Sequence, residues 1–68
     1  MCIRDSVETV LQAAIDAGQL APQPVAPLAH VLIGAVDEAA LYVATAADQP
    51  QARADVDAVL DRLLAGLR

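Results

Sequence analysis

A long run of small and aliphatic residues in the middle of the chain limits the possible folds more than any other feature. The run extends from Pro27 to Ala47, and its charged residues are the adjacent Asp37 and Glu38. At about 100° per residue, its apolar side chains cover more than half of the circumference of a helix. They comprise Leu28, Leu32, Val36, Ala39 and Val43 on one side, Val31 and Ala35 beside them, and Ile33, Ala40 and Ala44 on the opposite flank. The apolar surface of such a helix must be buried against other elements on more than one face.

Composition and periodicity predict an all-α fold. Hydrophobic residues make up 57% of the 68 residues, with one Tyr and neither Phe nor Trp, so the apolar content is mainly Ala, Leu and Val. Ala and Leu favour helices, and the chain has no convincing period-2 run typical of a strand. Three helices are expected, over about residues 7–18, 26–47 and 51–67.

Glycine and proline mark the expected helix ends. Gly18 lies where a left-handed C-terminal cap is wanted for the first helix. Pro22, Pro24 and Pro27 form a connector, and Pro27 is acceptable in the first turn of the second helix because its missing N–H has no intrahelical partner there. The second helix is expected to end at the Asp-Gln-Pro segment 48–50.

The charge of the chain argues against direct binding to nucleic acid. The formal net charge is −5 with four basic residues, whereas Lys and Arg supply most of the affinity for a phosphate backbone. Cys2 is the single cysteine, so an internal disulfide is impossible, and no signal-peptide pattern is present. These features predict a protein of the reducing cytoplasm.

A membrane span is the obvious alternative for the middle helix, because about twenty apolar residues cross a bilayer. Asp37 and Glu38 argue against it. A charged residue such as Asp at the centre of a spanning helix costs roughly 2.5–3.5 kcal/mol on insertion scales. We therefore expect no contact with a membrane.

The polar residues predict neither an enzyme nor a metal site. Asp37 and Glu38 are consecutive, so on a helix they point about 100° apart and do not converge on one substrate atom. His30 with one of these carboxylates supplies at most two metal ligands, which is too few. Tyr42 is expected to place its ring against the helical core with its hydroxyl at the rim. No cofactor is expected.

The first six residues, Met1 to Ser6, resemble the translated end of a transposon used to prepare sequencing libraries. This resemblance implies that residues 1–6 are a non-native start and that the natural chain continues upstream. The alternative is a genuine start in which Asp5 caps the first helix and Glu8 completes a capping box.

Three segments together resemble the C-terminal end of TetR-family transcriptional regulators. They are VLQAAIDAGQL (10–20), PLAHVLIGAVDEAALYVATAAD (27–48) and ARADVDAVLDRLLAGL (52–67). The most telling pieces are AxxAGQL at a helix end, the opening of the long helix and the ending DRLLAGL. The match covers nearly everything after residue 6, so residues 7–68 are identified as the end of a TetR-like ligand-binding and dimerisation domain.

The resemblance implies a dimeric repressor that responds to a small-molecule effector. Operator DNA would be bound only by an N-terminal helix-turn-helix, which this chain lacks. In such proteins the last two helices form an antiparallel hairpin that pairs with a second subunit as a four-helix bundle. A partner of this kind would explain why the middle helix is apolar beyond one face.

The surface that meets the partner is predicted from helical geometry. The side of Leu28 and Leu32 is expected to pack on the chain's own helices, and the small-residue flank is expected to face the second subunit. Gly34 inside a helix costs about 1 kcal/mol relative to Ala, which suggests close approach of a neighbour. The candidate interface comprises Ile33, Gly34, Ala40, Leu41, Ala44, Leu60 and Leu64.

Two other functions remain open. The chain can be an independent helical module for protein–protein interaction, or a small helical protein that binds a ligand or acts as an enzyme. An upstream reading frame encoding a helix-turn-helix would favour the regulator. Cooperative folding as a monomer would favour the module.

Overall fold

The computed structural model describes residues 3–68, which form three helices and no strand. Helix α1 spans Ile3–Asp16, α2 spans Val25–Ala44 and α3 spans Gln49–Ala65. The predicted all-α fold with three helices is confirmed. Met1 and Cys2, which belong to the predicted non-native start, lie outside the described residues.

Helix α1 begins earlier than predicted and ends where predicted. Its first turn contains Asp5, so Asp5 lies within the helix rather than before it. The helix ends in a Schellman motif: Gly18 N–H donates to Ile15 O (3.0 Å) and Gln19 N–H donates to Ala14 O (2.9 Å). Gly18 has φ = 77°, a left-handed conformation that suits glycine because it has no Cβ.

Helix α2 ends at Ala44, before the predicted end at Ala47. Thr45 follows as the C-cap, and its hydroxyl donates to Leu41 O (2.9 Å). The side-chain amide of Gln49 donates to Ala44 O (3.1 Å). The Gln49 bond gives a partner to a carbonyl of the last turn, and the Thr45 hydroxyl adds a second donor to Leu41 O, which also accepts the Thr45 N–H.

Helix α3 begins two residues before the predicted Gln51 because Asp48 is its N-cap. The Asp48 carboxylate accepts from the backbone N–H of Gln51 (3.1 Å), and Pro50 lies in the first turn. Both features are favourable helix starts. The segment 48–50 therefore begins α3, whereas the sequence pattern predicted only that it ends α2.

The three helices run antiparallel in sequence order. Helix α1 packs on α2 and α2 packs on α3, whereas α1 and α3 make no helix-to-helix contact within residues 3–68. The connector from α1 is attached to the end of α3, because Ala21 N–H (3.1 Å) and the Gln23 side-chain amide (3.0 Å) both donate to Leu67 O. The predicted α2–α3 hairpin is therefore present, with the start of α2 beside the end of α3.

This arrangement encloses almost no core. Among the described residues only Ala29 and Ala52 are buried. The chain exposes 4985 Å², whereas a compact protein of 7.0 kDa is expected to expose about 4,000 Å². The radius of gyration is 13.6 Å, compared with about 11 Å for a compact domain of this length. The molecule is an open slab of 41 × 27 × 14 Å rather than a closed bundle.

Candidate functional site

The α2–α3 hairpin has a groove on each of its two faces. The two grooves meet along one line, the seam, where α2 and α3 pack together. Ala39 of α2 and Val56 and Leu60 of α3 line the grooves on both faces, so they mark the line along which the two helices meet. The seam is made of small and medium side chains. Larger apolar side chains flank it and remain open to solvent.

The outer groove is the one on the face away from α1. It has a volume of about 390 Å³ and is lined by Ala35, Glu38, Ala39, Tyr42, Asp55, Val56, Val59, Leu60 and Leu63. Tyr42, Val59 and Leu63 are 58%, 57% and 57% exposed, and the neighbouring Val31 is 67% exposed. This face therefore presents four apolar side chains that are each more than half exposed.

The inner groove lies on the same side of the hairpin as α1. Its lining comprises Val36, Ala39, Ala40, Val43, Ala44, Arg53, Val56, Asp57 and Leu60. Val36 also lines the groove between α1 and α2, together with Ile3, Val7, Leu32, Ile33 and Asp37. The two grooves that share Val36 therefore form one side of the molecule, and α1 covers part of it.

The structure places the seven residues of the predicted interface in different surroundings. Ala40, Ala44 and Leu60 line the inner groove, and Ile33 lines the groove against the chain's own α1. Leu64 lines an apolar gap between the start of α2 and the end of α3. Gly34 and Leu41 are exposed, and a Cβ at Gly34 would meet no atom within 4 Å.

The gap that contains Leu64 shows that the hairpin is loosely closed at one end. It has a volume of about 310 Å³ and is lined only by aliphatic side chains, namely Leu28, Val31, Leu32, Ala35, Val36, Leu60, Leu63, Leu64 and Leu67. No polar group converges there, which is unlike a specific ligand site, where a few polar groups fix orientation. The gap is a packing defect of the isolated chain.

The polar residues considered above for catalysis or metal binding are separated. Asp37 lines the groove against α1, whereas Glu38 lines the outer groove, as expected for consecutive residues of a helix. Within residues 3–68, no group of three or more His, Cys, Asp or Glu side chains is placed to hold a metal ion. The Tyr42 ring, predicted to pack on the helical core, is instead exposed on the outer face.

Helix α2 is long and apolar enough to cross a membrane, by length and composition only. Only 6% of its apolar window is buried within the chain. Asp37 and Glu38 lie in its middle and line two different grooves. One helix of this kind is weak evidence for a membrane protein, since the core helix of a soluble protein and a signal sequence have the same length and composition.

Comparison with known families gives one match that covers nearly the whole chain. The model described as "Tetracyclin repressor-like, C-terminal domain" matches residues 2–67. Comparison with curated protein sequences gives no significant match. Domains of the matched type are helical parts of transcription regulators, which are generally not enzymes and are soluble cytoplasmic proteins. The three-helix fold agrees with this match, and the chain therefore belongs to the family of tetracyclin repressor-like C-terminal domains.

Proposed function

We propose that this chain is the dimerisation and effector-response segment of a TetR-like transcriptional repressor. Two copies associate through their α2–α3 hairpins as a four-helix bundle. Operator DNA is bound by a helix-turn-helix of the parent protein that is not part of these 68 residues. The proposed location is the cytoplasm, and the segment itself has no catalytic role.

The observation that carries this proposal is the uncovered apolar surface of the hairpin. The chain exposes 4985 Å², which is about 1,000 Å² more than a compact protein of its mass. A typical stable interface buries about 800 Å² on each partner. The excess is therefore of the size that one partner subunit would remove.

The effector-response role is supported by the arrangement of α1. Helix α1 lies on the inner side of α2, and its connector is hydrogen-bonded to the end of α3 through Leu67 O. A ligand that moves α1 in the parent protein would therefore move a segment attached to the dimerisation hairpin. The class of effector is not encoded in these contacts.

Fusion to a reporter DNA-binding domain tests the dimerisation role. The full 68-residue chain is joined to a domain that occupies its operator only as a dimer, and repression of a reporter gene is measured. We expect repression well above that of the unfused domain, because the chain supplies the association. A fusion that accumulates to the same level without repressing the reporter would contradict the proposal and favour an independent interaction module.

A further inference from the structure

We propose that the second copy seats on the outer groove, centred on Val59 and Leu63, rather than on the small-residue flank of α2. This inference rests on the proposed dimerisation and specifies its surface. The occupant is a second copy of the same chain, related by a twofold axis that passes through the groove.

The first argument is the position of α1. Helix α1 packs on the side of α2 that carries Ile33 and Val36, and Val36 also lines the inner groove. The inner side is therefore partly covered by the chain itself, although Val36 is still 55% exposed, whereas none of the described helices covers the outer side.

The second argument is the kind of surface that is left open. Val31, Tyr42 and Leu63 are each more than half exposed on the outer side, where they form one apolar surface about a small-residue seam. Burial of a Val or Leu side chain contributes about 1.5–3 kcal/mol. Tyr suits such a surface because its ring is buried while its hydroxyl reaches the polar rim.

Two neighbouring leucines provide a matched test. Leu63 lines both the outer groove and the apolar gap, whereas Leu64, about 100° further round α3, lines the gap but not the outer groove. Both are leucines of α3 that are roughly half exposed, at 57% and 47%. Leu63→Glu and Leu64→Glu therefore impose the same chemical change at one residue that lines the outer groove and one that does not. Val59→Glu and Ala40→Glu form a second pair, one on each groove.

The dimer dissociation constant of the full chain and of each variant is measured by sedimentation equilibrium, with far-UV circular dichroism to record helix content. We expect Leu63→Glu and Val59→Glu to weaken the dimer by about 100-fold, because an unpaired charge would be buried. Leu64→Glu and Ala40→Glu should change the constant by less than about tenfold.

The outcomes separate the two proposals. A dimer weakened by Leu64→Glu and Ala40→Glu, or by all four variants equally, overturns the outer-groove assignment while dimerisation stands. A wild-type chain that remains monomeric at every concentration overturns the proposed function and the assignment with it.

Discussion

Gly18 is the residue whose backbone conformation most restricts substitution. Its φ of 77° lies in the left-handed region, and its N–H and that of Gln19 close the end of α1. We predict that Gly18→Ala lowers the free energy of unfolding by about 1–2 kcal/mol, since a Cβ is strained there. Urea unfolding followed by circular dichroism, at one fixed chain concentration, measures the change.

Gly34→Ala is the control for this substitution. Gly34 is in the interior of α2, and an added Cβ would meet no atom within 4 Å. Alanine there should raise the free energy of unfolding by up to about 1 kcal/mol. If Gly18→Ala and Gly34→Ala have the same effect on the free energy of unfolding, the left-handed conformation of Gly18 does not stabilise the end of α1 as described. A dimer weakened by Gly34→Ala would instead support the predicted small-residue interface.

At the scale of the helices, the sequence predicted their existence and order better than their ends. Gly18 was identified as the end of α1 because few residues other than glycine accept its conformation. The ends of α2 and α3 were predicted less well, because the bonds that set them come from side chains across a turn. The Gln49 amide reaches back to Ala44, and the Asp48 carboxylate reaches forward to Gln51.

The N-cap of α3 was nevertheless visible in the sequence. Asp48 followed by Gln49 and Pro50 is a favourable helix start, since the carboxylate accepts an otherwise unpaired N–H and Pro fits the first turn. Pro50 was interpreted only as the end of α2, and the start of α3 was therefore predicted two residues too late, at Gln51 instead of Gln49. The start of α1 was missed for another reason: the resemblance of Met1 to Ser6 to a transposon end excluded Ile3 to Ser6 from the helix.

The N-cap supplies a prediction for α3 as a whole. Asp48→Ala should lower the free energy of unfolding by about 1 kcal/mol, because the Gln51 N–H loses its acceptor. Asp48→Asn should be close to neutral, since Asn also caps helices well. Thermal unfolding at one chain concentration compares the three proteins. Equal losses for Ala and Asn would indicate that the charge, rather than the capping bond, matters.

At the scale of the whole molecule, the face used for association could not be derived from the sequence. Helical periodicity shows which residues of α2 share a side, but it does not show on which side α1 packs. Ile33, assigned to the partner, lines the groove against α1 instead. Leu63, omitted from the predicted interface, is among the most exposed large side chains of the hairpin.

The open slab also explains why the middle helix carries more apolar surface than one face requires. Helix α1 contacts it on one side and α3 contacts it on another, yet only Ala29 of its residues is buried. We propose that a second copy covers the remaining apolar surface. A membrane is a poor candidate because Asp37 and Glu38 lie in the middle of the helix, whereas a second hairpin can accommodate carboxylates at its rim.

Sedimentation equilibrium of the 68-residue chain over a wide concentration range tests the central claim most directly. We expect a reversible monomer–dimer equilibrium, with the mass rising from 7.0 kDa toward twice that value. Helix content should increase with concentration, because association stabilises the folded state. A chain that remains at 7.0 kDa throughout, with a helix content independent of concentration, would contradict the account.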